Sequence, residues 1–134
     1  MEFINPDISV LQSKKLFIFD MDGTIYLGAK VFPFAIRFIK DLRAHGKQVL
    51  FFTNNASHSP AFYMDKLTRL GFEPSRKEIM TSGDVTIEFL KRHRAGKSVY
   101  LVGTPDLENT FREAGIPLLH GDEARADIVI TSFD

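Results

Sequence analysis

The sequence predicts an α/β fold: a Rossmann-like, doubly wound parallel sheet in which strands alternate with helices. Three observations predict it. Short apolar runs bounded by turn residues recur along the chain, amphipathic helical patterns lie near or between them, and a glycine follows each helical pattern. Together these features are typical of strand–helix–strand units rather than of an all-helical or all-strand protein.

Five apolar runs have the length and composition of strands that are buried on both faces of a parallel sheet. The first ends directly before Asp20, and the second ends directly before Thr53. The predicted strands cover residues 16–19, 48–52, 79–81, 98–102 and 127–133. Residues 1–15 precede the first strand and are predicted to be a loosely ordered lead-in or an edge element.

Four helical patterns begin near Pro33, Ser59-Pro60, Ser82-Gly83 and Thr104-Pro105. Ser59, Ser82 and Thr104 are expected to be N-caps, because serine and threonine side chains accept hydrogen bonds from the first turn of a helix. The residues expected to face the core are Ile36, Ile39, Leu42, Tyr63, Leu67, Leu70, Ile87, Leu90, Leu107, Phe111 and Ala114. The helix-ending glycines are Gly46, Gly71, Gly96 and Gly115.

Composition limits the classes of function. The 134 residues fit one domain, and 17 basic and 17 acidic residues give no net charge, which disfavours nucleic-acid and polybasic membrane partners. The absence of cysteine excludes disulfides and thiol-based metal or redox sites. We find no signal peptide and no apolar run long enough to span a bilayer, and we predict a cytoplasmic location. Homo-oligomerisation is left open.

Two aspartates follow the first predicted strand, where ligands of open α/β sheets bind. Asp20 and Asp22 are separated by one residue, Gly23 permits a tight turn and Thr24 closes it. Two carboxylates this close repel each other unless a cation lies between them or one carries a proton. Magnesium prefers oxygen ligands and commonly takes one or two carboxylates together with a substrate phosphate. The predicted cofactor is therefore Mg²⁺, with Asp20 and Asp22 as ligands.

Phosphate chemistry assigns a role to each aspartate. Asp20 can attack phosphorus to form an aspartyl-phosphate, and Asp22 can protonate the leaving oxygen and later activate water. Thr53-Asn54-Asn55 follows the second strand, where a hydroxyl and backbone N–H groups can hold phosphate oxygens. An isolated Asp-x-Asp-Gly also opens calcium loops and plain turns, and Thr53-Asn54-Asn55 alone could be a helix-capping turn. The predicted substrate-binding residues are Gly23, Thr24, Thr53, Asn54 and Asn55.

These motifs make the chain resemble the haloacid dehalogenase (HAD) superfamily, in its NagD-like or 4-nitrophenylphosphatase branch. Residues 16–24 are similar to the first motif of that superfamily, and residues 51–57 are similar to the second. The resemblance implies that Asp20 is the nucleophile and a magnesium ligand and that Asp22 is the acid/base. It also implies that Thr53 and Asn54 contact the phosphate. Further landmarks of the branch resemble residues 24–31 (a flap), 81–84, 100–104 and 128–134.

The resemblance also implies parts that follow residue 134. Members of this branch carry a lysine motif and further aspartates beyond a cap domain that follows the strand resembling residues 128–133. We therefore expect residues 1–134 to form an incomplete HAD-like core, the N-terminal part of a longer phosphatase. Without the cap and the C-terminal part of the core, it should bind magnesium weakly and turn over poorly or not at all. The expected substrate is a small phosphate ester: a nucleotide, a sugar phosphate or an aryl phosphate.

Two other functions remain open from the residues. A receiver-like phosphoacceptor domain also combines aspartates, magnesium and an α/β sheet, but its acceptor follows the third strand, where this chain has Thr81-Ser82-Gly83. A non-catalytic binding module, or an inactive fragment of a phosphatase, is consistent with the missing lysine motif but does not explain why both aspartates are present.

Overall fold

Parallel strand pairs organise the structure, a computed structural model that describes residues 8–121 and 125–132. The predicted strands are present, and the structure adds three two-residue strands to them. The strands are β1 (Leu16–Phe19), β2 (Tyr26–Leu27), β3 (Lys30–Val31), β4 (Gln48–Thr53), β5 (Ile79–Thr81), β6 (Val99–Val102), β7 (Leu118–Leu119) and β8 (Ile128–Thr131). Phe133, the last residue of the predicted fifth strand, lies outside the described residues.

The strands form two three-stranded parallel sheets and one hairpin. The first sheet has the order β1-β4-β5 and the second has the order β7-β6-β8. Strands β2 and β3 pair antiparallel, with Tyr26 opposite Val31, within the segment expected to be the flap. The α/β class and the parallel sheet predicted from the sequence are confirmed.

In the part of the chain that the structure describes, four α-helices lie between strands, as the sequence predicts, and one precedes β1. They are α1 (Ile8–Ser13), α2 (Ala35–Ala44), α3 (Pro60–Arg69), α4 (Ser82–His93) and α5 (Pro105–Glu113), with a 3-10 turn at Arg76–Glu78. Helix α1 lies within residues 1–15, which were predicted to be a loosely ordered lead-in or an edge element. The four glycines that follow the predicted helices all have positive φ angles, between 69° and 89°, as their helix-ending role requires.

One N-cap differs from the prediction. Ser59 and Thr104 cap α3 and α5 as expected, with their side chains accepting bonds from Phe62 and Leu107. Helix α4 is capped by Thr81, not by Ser82: the Thr81 side chain accepts a bond from the backbone of Asp84, and the Asp84 carboxylate accepts one in return. This reciprocal capping box occupies Thr81, so Ser82 becomes the first helical residue and its hydroxyl turns to another partner.

Two hydrophobic clusters form the core. The first joins α2 and α3 to one face of the β1-β4-β5 sheet and includes Ile39, Phe51 and Leu67. The second joins α4 and α5 to one face of the β7-β6-β8 sheet and includes Val99 and Phe111. Of the predicted core residues, Ile36, Leu70 and Ala114 are only partly buried.

The opposite faces of the two sheets are apolar and exposed. Ile18 on β1 is 59% exposed, and Val129 on β8 is 64% exposed. In the described part of the chain, therefore, each sheet is covered mainly on one face. Among these residues no helix is long and apolar enough to cross a membrane.

Candidate active site

Parallel pairing brings the two motifs to one edge of the first sheet. Phe19 of β1 is the register partner of Phe51 of β4, so Asp20 and Thr53 both lie at the carboxyl end of this strand pair. Strand β5 ends at the same level, with Thr81 opposite Thr53. The prediction that the two motifs share an edge therefore agrees with the structure.

The turn after β1 is held by backbone hydrogen bonds around a buried methionine. Met21 is 1% exposed, and its carbonyl accepts bonds from the N–H groups of Thr24 and Ile25. Gly23 has φ 83° and donates its N–H to the Tyr26 carbonyl at 2.7 Å. A Cβ at this φ would be strained, so the turn favours glycine. Burying the side chain of Met21 leaves its neighbours Asp20 and Asp22 exposed to solvent.

Each aspartate has one local hydrogen-bond donor. The Thr24 hydroxyl donates to Oδ2 of Asp20 at 3.2 Å, and the Gly28 N–H donates to Oδ1 of Asp22 at 3.2 Å. These bonds involve one oxygen of each carboxylate and hold both side chains in the same loop. Thr24, a predicted substrate-binding residue, therefore contacts the predicted nucleophile directly.

The donor set of this loop fits a magnesium ion. Carboxylate oxygens are hard ligands, and magnesium usually binds one or two of them while keeping several waters. Among the described residues no three acidic or histidine side chains are grouped closely enough to hold a metal. Asp20 and Asp22 are the residues that could hold a magnesium ion, together with water and a substrate phosphate.

Thr53 and the two asparagines after it differ in what their side chains do. Thr53 is buried, and its Oγ1 accepts the N–H of Asn55 at 3.1 Å. Oδ1 of Asn55 accepts the N–H of Ser57 at 2.8 Å and also the Ser57 hydroxyl. The Asn55 side chain thus shapes the loop. Asn54 is exposed at the sheet edge and is the asparagine better placed to meet a ligand.

The loop after β4 is held to the second half of the chain by three hydrogen bonds. The Ser82 hydroxyl donates to the Asn54 carbonyl at 2.7 Å, and the Thr104 hydroxyl donates to the Ser57 carbonyl at 2.7 Å. The N–H of Ser59 donates to Oδ2 of Asp106 at 2.6 Å. Because these partners lie at the first turns of α4 and α5, both helices position the loop.

Two buried tyrosines, Tyr26 and Tyr63, lie close enough to Asp22 for its charge to raise their pKa values. Burial raises the pKa of Tyr63 above its ordinary value, a hydrogen bond with the Thr53 side chain lowers it, and the charge of Asp22 raises it. The Tyr63 hydroxyl also donates to the Asn55 carbonyl at 3.4 Å. Burial raises the pKa of Tyr26 as well, with further contributions from Asp22, Tyr63 and Asp20. Both tyrosines are therefore uncharged at physiological pH.

Tyr63 was predicted to face the hydrophobic core, and neither Tyr26 nor Ser82 was predicted to belong to the site. One signal was available for Tyr63: a tyrosine at an inward helical position needs a polar partner for its hydroxyl. Nothing local to the sequence pairs Ser82 with Asn54, which are 28 positions apart.

Comparison with known proteins identifies the family. The model of the haloacid dehalogenase-like hydrolase family matches residues 17–117, a span that includes Asp20, Asp22 and the Thr53 loop. The chain is 30% identical over 124 residues to the acid sugar phosphatase of Staphylococcus aureus (strain USA300), which covers 92% of this chain and 47% of that protein. The chain thus spans about half the length of the curated relatives it matches.

Solved structures give the same result. The 4-nitrophenylphosphatase of Thermotoga maritima superposes with a TM-score of 0.84 at 35% identity, covering 93% of this chain and 47% of that one. The glycerol phosphate phosphatase of Mycobacterium tuberculosis, solved with magnesium, superposes with a TM-score of 0.77 at 31% identity, covering 89% of this chain and 35% of that one. Since the family match spans most of the sequence and includes both motifs, the chain belongs to the haloacid dehalogenase-like hydrolase family.

Proposed function

We propose that this chain forms the phosphate-handling part of a magnesium-dependent phosphomonoester hydrolase. One observation carries the proposal: parallel pairing brings Asp20, Asp22 and Thr53 to one sheet edge. Phosphoryl transfer to a carboxylate needs a nucleophile, an acid/base, and hydroxyl and N–H donors, and this edge carries a candidate for each.

The proposed reaction has two steps. A carboxylate oxygen of Asp20 forms a bond to phosphorus, the ester P–O bond breaks, and Asp22 gives its proton to the leaving oxygen. Asp22 then takes a proton from water, whose oxygen attacks phosphorus, and the Asp20–phosphorus bond breaks to release inorganic phosphate and restore both carboxyl groups. The Thr53 hydroxyl and the backbone of Asn54 bind phosphoryl oxygens throughout.

Asp20 and Asp22 are the residues that would hold magnesium, whose charge would reduce the repulsion between a carboxylate and the anionic phosphoryl group. A solved relative, the glycerol phosphate phosphatase, is in complex with magnesium, which supports magnesium as the cation. The names of the relatives support a small phosphate ester as the substrate, since they include sugar, glycerol and nitrophenyl phosphatases. The cytoplasmic location and the absence of nucleic-acid and membrane partners stay predictions.

A second candidate is an inactive binding module of the same family. It is favoured by the limited ligand set, since in the part of the chain that the structure describes no third acidic or histidine side chain joins Asp20 and Asp22. A receiver-like function is less well supported, because the residue that ends the third strand of the first sheet, Thr81, is used in a capping box.

The first prediction tests the nucleophile. Beryllium fluoride mimics a phosphoryl group on a carboxylate, so with magnesium it should form an adduct on wild-type protein that ¹⁹F NMR detects. Asp20→Asn should abolish the adduct and weaken magnesium binding by about ten-fold or more, because the variant has lost a charged ligand.

Asp41→Asn is the matched control, because Asp41 is an exposed aspartate that only pairs with Arg37 across one helical turn. It should keep the adduct and the magnesium affinity. Attachment of beryllium fluoride to a different acid would refute the proposal, and equal magnesium binding by wild type and Asp20→Asn would favour the inert module.

A further inference from the structure

A lysine on α3 contacts the turn that carries the two aspartates. Nζ of Lys66 lies 4.4 Å from the centroid of the Tyr26 ring. Lys66 is partly exposed, whereas only 1% of the Tyr26 surface is exposed. A cation over the face of an aromatic ring is attracted by the negative charge of that face, and the attraction is stronger where water is excluded. The two side chains therefore form a cation–π contact at the boundary of the core.

The Tyr26 ring is the partner that the fold provides for this ammonium. In the part of the chain that the structure describes, no ion pair joins Lys66 to a carboxylate. The other basic residue in the last turn of α3, Arg69, pairs with Asp65 at 3.1 Å across one helical turn. Arg69 is thus a helix-surface cation of the usual kind, whereas Lys66 reaches from α3 to a separate element.

Tyr26 belongs to the same backbone network as the aspartates. Its carbonyl accepts the N–H of Gly23 at 2.7 Å, and Tyr26 forms an isolated β-bridge with Asp22. Burial, followed by the charge of Asp22, raises the pKa of the Tyr26 phenol, so the ring also lies near that carboxylate. A contact that fixes the Tyr26 ring therefore restricts the backbone on which Asp22 is placed.

The flap hairpin begins at Tyr26 and needs support from its neighbours. Strands β2 and β3 have two residues each, with Tyr26 opposite Val31. A two-stranded hairpin is at best marginally stable by itself, so its position depends on contacts with other elements. Helix α3 reaches both motifs: Lys66 contacts Tyr26, and Tyr63, one turn earlier, donates to the Asn55 carbonyl.

We propose that Lys66 is a positioning residue, whose contact with the Tyr26 ring holds the turn after β1 against α3 and so sets the position of Asp22. The consequence for magnesium rests on the proposed function, because it takes Asp20 and Asp22 as the ligands. The contact between α3 and the turn is independent of that function and can be tested without metal.

The first measurement is hydrogen exchange of the metal-free 134-residue chain, followed by NMR at the amides of Gly23 and Phe32. These N–H groups donate to the carbonyls of Tyr26 and Ile25, at the base of the hairpin. Lys66→Met keeps an apolar stem and removes the charge, so both amides should exchange about three-fold faster. Lys66→Arg should restore the slow exchange, because a guanidinium also stacks on an aromatic face.

Magnesium titration measures the consequence for the site. Lys66→Met should weaken magnesium binding about three-fold, since Asp22 is held less well, and Lys66→Arg should bind magnesium as wild type does. A direct effect of charge has the opposite sign, because removing a nearby positive charge favours binding of a cation. Tighter magnesium binding by Lys66→Met would therefore overturn the proposed positioning role.

Lys91→Met is the matched control, because Lys91 is an exposed lysine on α4, away from the turn. It should leave the exchange of Gly23 and the magnesium affinity unchanged. The Val99 amide, which donates to the Pro117 carbonyl at 2.8 Å beside the second sheet, should exchange equally in all variants.

Unchanged exchange at Gly23 in Lys66→Met would overturn the inference. So would an equal acceleration at Val99, which would reveal a global loss of stability, or an equal effect of Lys91→Met. Failure of the wild-type chain to bind magnesium would instead reject the proposed function, and the exchange measurement would still decide whether Lys66 holds the turn.

Discussion

At the scale of single residues, buried groups hold the side chains of the proposed phosphate site in place. Tyr63 is 5% exposed and contacts both Thr53 and the Asn55 carbonyl. Burial raises its pKa further above neutral, so the hydroxyl is uncharged and donates to the Asn55 carbonyl. We therefore predict that Tyr63 is a positioning residue, which acts through Thr53 on the proposed phosphate site.

Tyr63→Phe tests this role. Removal of the hydroxyl should lower the affinity for inorganic phosphate about five-fold and the free energy of unfolding by about 1 kcal/mol, since one buried hydrogen-bonding group loses its partner. NMR titration and urea unfolding measure the two effects. Tyr100→Phe is the control, because Tyr100 is 40% exposed and lies on the second sheet; it should change neither quantity. An unchanged phosphate affinity in Tyr63→Phe would limit Tyr63 to core packing.

At the scale of elements, one carboxylate links two neighbouring strands of the second sheet by hydrogen bonds. Asp127 precedes β8 and accepts bonds from the N–H of Ser98 at 2.9 Å, the Ser98 hydroxyl at 3.1 Å and Lys97 at 3.3 Å. These donors precede β6, so the aspartate joins the starts of two paired strands. The Ser98 N–H, then the Lys97 ammonium and the Ser98 hydroxyl, lower the pKa of Asp127 below its ordinary value.

The pH dependence follows from the lowered pKa. The folded state favours the ionised carboxylate, so its contribution to stability is present above the unfolded-state pKa and is lost as pH falls through the folded-state pKa. The difference in unfolding free energy between wild type and Asp127→Asn should therefore be largest near neutral pH and shrink on acidification. Urea unfolding at a series of pH values measures it.

Ser98→Ala removes one donor to Asp127 and should reduce this pH dependence in part. A difference between wild type and Asp127→Asn that grows as the solution becomes acidic would contradict the assignment, because it would require a raised pKa in the folded state.

At the scale of the whole molecule, the loop after β4 connects the two core clusters. Ala56 of this loop is buried in the second cluster, while Phe51 of the preceding strand lies in the first. Hydrogen bonds from Ser82 and Thr104 hold the same loop. Packing in the second cluster should therefore influence the position of Asn54, although the aspartates lie on the first sheet.

Phe111→Ala tests how strongly the second cluster stabilises the fold. Phe111 is 1% exposed, and its truncation should lower the free energy of unfolding by about 3–5 kcal/mol, since it leaves a cavity in a packed core. Phe89→Ala is the control, because Phe89 is 50% exposed, and it should cost less than about 1 kcal/mol. Urea unfolding compares the two, and equal losses would show that the second cluster is not a core.

The sequence by itself determined most of the elements and the two motifs of this protein. Strand and helix boundaries depend on local periodicity, caps and helix-ending glycines, which neighbouring residues specify. The Asp20–Thr24 turn was predictable for the same reason, since its bonds join residues a few positions apart. The exception among the caps arose because Thr81 and Asp84 form a reciprocal pair that excludes Ser82 from that role.

Only the tertiary structure decided which polar groups meet. Ser82 reaches Asn54 across 28 positions, and Thr104 reaches Ser57 across 47, because separate helices pack against one loop. The contact of Tyr63 with Thr53 arises in the same way. Such contacts depend on how whole elements pack together. Hydrophobic burial drives that packing, but it is non-directional, so the pattern of apolar residues in the sequence does not show which polar side chains become neighbours.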